Sequence, residues 1–200
     1  MKLPATVLAI VLTAVAAAGA GAAEPTKHDD QKPAAPAPQT PAEVRAELYG
    51  RLAASNDADE TEGLVGMLVA SYSRSGSDTG DLLLRRAHKA IDAKDYESAE
   101  KILSAAVGFM PDQPEPWNAR ATLRFLDDDY DGSMADIAQT LKREPRHIGA
   151  LMGMAAILEA RDKKKEALEV YQRVLSIAPH WKEAETAADK LRAEIAGQEL

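Results

Sequence analysis

Few residues in this chain could carry out chemistry, and they are poorly spaced for it. Cysteine is absent. That removes disulfides, thiolate metal sites, a cysteine nucleophile and a lipidated N-terminal cysteine together. The histidines are His28, His88, His147 and His180. None has a second histidine four residues away, the spacing that sets two imidazoles on one helix face for zinc, and no H-E-x-x-H string occurs. The run Asp127-Asp128-Asp129-Tyr130-Asp131-Gly132 matches the first half of a calcium loop, D-x-D-x-D-G. Its twelfth position should be a bidentate Glu and is Ala138. The alternative is an acidic turn at a helix start, where carboxylates are favoured by the helix dipole. There is no G-x-S-x-G elbow for a serine nucleophile. Ser73-Arg74-Ser75-Gly76-Ser77 lacks the Lys that a phosphate loop needs and is expected to be a flexible turn. The expectation is therefore no catalytic residue, no metal, no cofactor and no reaction of the chain's own. A scaffold that presents surfaces is the remaining class.

Composition agrees with that class. The chain has 200 residues with 46% hydrophobic content, enough for a packed core. Aromatics are only 4%, too few for an ordinary β-sandwich or barrel. A formal net charge of -8 argues against a general nucleic-acid binder, which needs a basic surface.

The first segment is expected to be for targeting. Met1-Lys2 is a short positive start, Leu3 to Ala18 is mostly apolar, and Gly19 to Ala23 are small. This is the pattern of a secretory signal peptide over 1–23, with cleavage near Ala23. A retained, signal-anchored segment in the inner membrane is the rival reading. Glu24 to Pro41 carries Pro25, Pro33, Pro36, Pro38 and Pro41, and is expected to be a disordered linker over 24–41. It could serve as a plain tether, a spacer or a docking peptide.

The remainder repeats. Pro111, Pro145 and Pro179 recur every 34 residues. With each proline at position 32, the repeats are 80–113, 114–147 and 148–181. Position 8 reads Ala87, Ala121, Ala155; position 20 reads Ala99, Ser133, Ala167; position 24 reads Leu103, Ile137, Tyr171; position 27 reads Ala106, Thr140, Val174. Each repeat holds two apolar patterns of helical period, broken at Lys94-Asp95, Asp127-Asp128-Asp129 and Asp162-Lys163. Small residues at positions 8 and 20 would let two helices approach closely. No single hairpin buries its own apolar face, so neighbours must stack. Ala184, Ala187, Ala188, Leu191 and Ile195 form one stripe, predicting a capping helix within 182–200. Upstream, 42–54 and 60–74 read as two further helices, an N-terminal hairpin within 42–79 suited to lead the stack. Ser73 to Gly80 reads as a turn.

At these positions the chain resembles the tetratricopeptide repeat family. The resemblance covers 80–181 and implies an all-α fold, a right-handed superhelical α-solenoid. Departures are Arg124 at position 11, Lys164 at the usual aromatic position 17, and Arg86 and Arg120 at position 7. The resemblance also implies that first-helix positions 2, 5, 9 and 12 line a concave groove. Leu84, His88, Asn118, Thr122, Phe125 and Met152 then become the candidate partner-binding residues. Family members that clamp a C-terminal carboxylate use Lys at 5 and Asn at 9. Leu84 and His88 stand there, so that clamp is not expected. A mixed apolar and polar groove would suit an extended or helical peptide. The function expected is an exported scaffold for protein–protein interaction, in the periplasm or secreted. The alternatives are a non-catalytic accessory subunit of an envelope enzyme or assembly complex, and a tethered spacer.

Overall fold

The computed structural model describes residues 39–198, and all regular structure among them is helical. The elements are α1 (Pro41–Ala54), α2 (Ala58–Tyr72), α3 (Asp78–Asp92), α4 (Tyr96–Phe109), α5 (Pro114–Leu126), α6 (Tyr130–Arg143), α7 (Ile148–Ala160), α8 (Lys164–Ile177) and α9 (Lys182–Gln198). The expected signal peptide over 1–23, the linker up to residue 38, His28 and the last two residues lie outside the described residues.

Local signals set the helix ends. Thr40 caps α1 in a box with Glu43, and Pro41 takes the first helical position, where its missing N–H costs nothing. Pro41 is thus helical, one residue inside the segment read as linker. The carboxylates of Asp57, Asp95 and Asp129 accept from the N–H of Glu60, Ser98 and Gly132 to start α2, α4 and α6. Ser77 does the same for α3 through Gly80. Gly80 therefore sits buried in the first turn of α3, not in the expected turn; a Cβ there would collide with Met110 Sδ. Within each repeat the turn uses one left-handed residue: Lys94 (φ 58°), Asp128 (φ 59°) and Asp162 (φ 55°), spaced by the repeat. Pro111, Pro145 and Pro179 each follow two residues after α4, α6 and α8 end.

The repeat positions explain the packing. Residues at positions 8, 20, 24 and 27 are buried in all three hairpins, α3–α4, α5–α6 and α7–α8. At the α5–α6 contact the Ser133 hydroxyl donates to the Ala121 carbonyl at 2.8 Å, a separation that leaves no room for a larger side chain. Ala121→Leu and Ala155→Leu are each expected to cost about 1–3 kcal/mol by overpacking. Thermal melts that leave both variants unchanged would refute this register. Beyond the third repeat, Ala184, Ala188 and Leu191 of α9 are buried with Val170 and Val174 of α8 in one cluster.

The hairpin α1–α2 does not lead the stack. Leu52, Leu64 and Leu68 join a core with Ile148, Leu151, Ala178, Trp181 and Leu191, at the far end of the repeats. The hairpin lies on the edge where α6 meets α7 and α8 meets α9. Tyr49 donates to the carbonyl of Arg146 at 2.8 Å and accepts from the Tyr72 hydroxyl at 2.6 Å. Trp181 Nε1 donates to Glu62 at 2.9 Å, and Lys182 pairs with Asp59 at 3.1 Å. Arg146 covers the Tyr49 ring at 4.0 Å, and the Tyr72 ring stacks on His147 at 4.0 Å. The amphipathic hairpin, through Tyr49 and Tyr72, thus packs on the repeat junctions rather than on the face of α3.

Burial pushes the Tyr49 phenol up to about 12, and Tyr72 higher still, by the same cause. Both folded values exceed the unfolded one of about 10, so this joint holds below pH 10 and weakens as pH rises through 12. Tyr49→Phe would leave the Tyr72 hydroxyl and the Arg146 carbonyl short of a partner, costing about 1–3 kcal/mol. An alkaline titration followed by circular dichroism should show wild-type losing structure across that window. A Tyr49→Phe protein as stable as wild-type at neutral pH would refute the joint.

Candidate functional site

The inner helices of the repeats, α3, α5 and α7, border a furrow in two parts. The first, of about 190 Å³, lies between α3 and α5 and is lined by His88, Ile91, Asp92, Glu115, Asn118 and Thr122. The second, of about 100 Å³, lies between α5 and α7 and is lined by Asn118, Thr122, Phe125, Ile137, Gly149 and Gly153. Asn118 and Thr122 border both, one turn apart on α5, and so make the furrow continuous. On α7 the i, i+4 pair Gly149 and Gly153 presents backbone without side chains, which opens the second part. Phe125 forms its wall, its ring 5.5 Å from that of Tyr130.

Four of the six residues expected in the groove are therefore brought together: His88, Asn118, Thr122 and Phe125. Leu84 is corrected. It is 1% exposed and packs with Ala87, Leu103 and Ala106, because it shares the inward stripe of α3 with Ala87. Met152 is corrected too. It is half-buried against the core shared with the α1–α2 hairpin, and the furrow passes over Gly149 and Gly153 instead. Gly153 was missed by sequence reasoning; the spacing Gly149-x-x-x-Gly153 was the available signal.

Fixed polar groups frame the furrow. Glu115 Oε2 lies 3.3 Å from His147 Nε2 and accepts from Asn118 Nδ2 at 3.5 Å. His147 caps α7, its Nδ1 accepting from the Ala150 N–H at 3.1 Å. The ring proton is then on Nε2, which donates to Glu115. His147 thus acts as a cap that ties α5 to α7. Behind Ala121 runs a buried ion network. Arg120 grips Asp136 with two nitrogens, at 2.8 and 2.9 Å, which raises the guanidinium pKa above its usual value. Arg124 reaches the same carboxylate at 3.0 Å and Glu100 at 3.2 Å. Two of the three arginines that depart from the family pattern, Arg120 and Arg124, thus converge on one aspartate.

The acidic run does not converge. Asp127 follows the end of α5, Asp128 is left-handed, Asp129 spends its carboxylate capping α6, and Asp131 pairs with Arg161 at 2.6 Å. This arrangement starts a helix; it does not wrap a cation.

No protein-family model matches the chain. A curated TPR repeat-containing protein of Rhizobium etli is 36% identical over 161 residues, spanning 80% of this chain and 79% of that protein. Among solved structures, the first TPR of Spaghetti (RPAP3) bound to the HSP90 peptide SRMEEVD is similar with a TM-score of 0.55 at 21% identity, over 58% of this chain and 95% of that one. The Arabidopsis OM64 TPR domain is similar with a TM-score of 0.54 at 16% identity, over 58% of this chain and 96% of that one. At those identities the likeness concerns the fold.

Proposed function

The chain belongs to the tetratricopeptide repeat family, and from that premise we propose that it is an exported, non-catalytic scaffold holding an extended protein segment in the α3–α5–α7 furrow. The observation that carries this reading is the continuity of the furrow past Asn118 and Thr122, with Phe125 and the bare backbone of Gly149 and Gly153 at one end. An extended segment could place an apolar side chain against Phe125 while its backbone amides meet Asn118 and Thr122. The similar RPAP3 domain is bound to a peptide, which supports a peptide as the kind of ligand. Leu84 and His88 do not supply the lysine and asparagine of a carboxylate clamp, so an internal segment fits better than a C-terminus.

Export rests on the N-terminal pattern alone: Lys2, the apolar stretch after it, and the small residues to Ala23. In a double-membrane bacterium the destination would be the periplasm. Two measurements test the proposal. N-terminal sequencing of natively expressed protein should begin at Ala23 or Glu24; an intact Met1 with the protein held in membranes after salt washing would overturn export. A photo-crosslinking residue at Thr122, exposed in the furrow, should give a discrete adduct in intact cells. The same residue at Lys142, exposed on α6, should not. Equal labelling from both positions would overturn the furrow as the partner site.

A further inference from the structure

The two ends of the repeat stack are finished differently. At the C-terminal end α9 turns its apolar stripe inward and leaves Glu183, Asp189, Lys190 and Arg192 in solvent. At the other end no element among the described residues takes that role, since α1–α2 pack elsewhere. Equivalent repeat positions show what is left open. Leu82 is 40% exposed, whereas Pro116 and Ala150, one and two repeats on, are buried. Lys89 is exposed, whereas its equivalents Leu123 and Ile157 are buried. Phe109 is 54% exposed; its equivalent Arg143 reaches back to the Pro111 carbonyl of the preceding repeat, so this position faces the preceding neighbour.

The charges on this face lack answers. Arg85, Arg86 and Lys89 are exposed, and their side chains make no hydrogen bond or ion pair among the described residues, on a chain of net charge -8. One repeat on, the covered state is visible. Arg120, the equivalent of Arg86, donates to Ser104 of α4 at 3.1 Å, and Arg124, where α3 carries Ala90 beside Lys89, pairs with Glu100 of α4 at 3.2 Å. The helix lying over α5 thus brings a carboxylate and a hydroxyl four residues apart, beside apolar Leu103 and Val107.

We propose that the open face formed by Leu82, Arg86 and Lys89 of α3 with Phe109 of α4 docks an acidic amphipathic helix of a partner protein, laid on α3 as α4 lies on α5. The charge pattern and the continuity with the inter-repeat interface select this occupant. A second copy fits worse. Face to face, it would set these cations against their own kind, a costly like-charge juxtaposition. Head to tail, it would meet the polar outer side of α9.

The test uses the full chain and a synthetic, fluorescein-labelled peptide of the α4 sequence, Tyr96–Met110, carrying Ser104→Glu. Fluorescence anisotropy should show saturable binding that Arg86→Glu weakens about tenfold or more, as expected for reversal of a docked charge. A peptide with arginine at both acidic contact positions, 100 and 104, should regain affinity for the Arg86→Glu chain. Phe125→Ser, in the furrow, should leave this affinity unchanged, so failure here is distinct from failure of the furrow. Absence of binding, indifference to Arg86→Glu, or loss on Phe125→Ser overturns the proposal. Sedimentation showing a dimer that Leu82→Asp dissociates would also overturn it, in favour of a second copy.

Discussion

Replacing Asp136 with alanine is expected to destabilise the fold by about 3–5 kcal/mol. The reason is what it leaves behind. The Asp136 side chain is 4% exposed, accepts two hydrogen bonds from Arg120 and forms an ion pair with Arg124. Both arginines have most of their surface out of water, so removing the carboxylate strands two cations where water reaches them poorly. Asp136→Asn keeps the shape and some of the bonds and should cost less. The informative control removes the set: Arg120→Met, Arg124→Leu and Asp136→Leu together should be close to neutral or even stabilising, because a buried ion group seldom outweighs well-packed hydrocarbon. Urea unfolding of the three proteins decides the matter. An Asp136→Ala protein that unfolds with wild-type would show that the network is not buried in solution.

The second large effect separates core from furrow. Leu103 is fully buried between α3 and α4, so Leu103→Ser should lose about 2–5 kcal/mol for the missing side chain, with a further cost for burying a hydroxyl. Phe125 is only half-buried, with one face toward the furrow. Phe125→Ser should therefore melt closer to wild-type, yet weaken a furrow ligand by about 2 kcal/mol or more, as expected of an aromatic anchor. Melts and binding titrations of both variants against the crosslinked partner provide the comparison. If Phe125→Ser unfolds as readily as Leu103→Ser, Phe125 belongs to the core with Ile137 and Ile157, and the partner surface lies elsewhere.

The repeat was legible because it is written in spacing. Three prolines at one period fix the frame, and the frame fixes which alanines meet and where each hairpin turns. The capping aspartates 95 and 129 could be read the same way. Less legible was anything that depends on contacts across many residues. Leu84 was placed in the groove by its repeat position, yet in the first repeat that side chain turns toward Leu103, where burial gains most. Met152 was lost to the furrow because an N-terminal hairpin packs beside α7, and no local pattern in 42–74 tells a hairpin which end of a stack to join. Asp136 was overlooked for a different reason. An aspartate among Ser133, Ile137 and Thr140 looks like surface until its two arginines, 12 and 16 residues earlier, are seen to converge on it.

The attachment of α2 to the start of α9 has a consequence for how the molecule comes apart. A linear array of repeats melts from its ends, since each unit holds only its neighbours. Here the Trp181–Glu62 bond joins positions 119 residues apart, and α1 and α9 are tethered through one core. Neither α1 nor α9 can then fray without releasing the other, so the two should exchange their amide protons as a single cooperative block. Closing so long a loop is slow, so the final step of folding should be this clasp, formed after the individual hairpins. In mechanical terms the helical body is less a zip than a buckled strap: pulling on α1 or on α9 loads the same fastening.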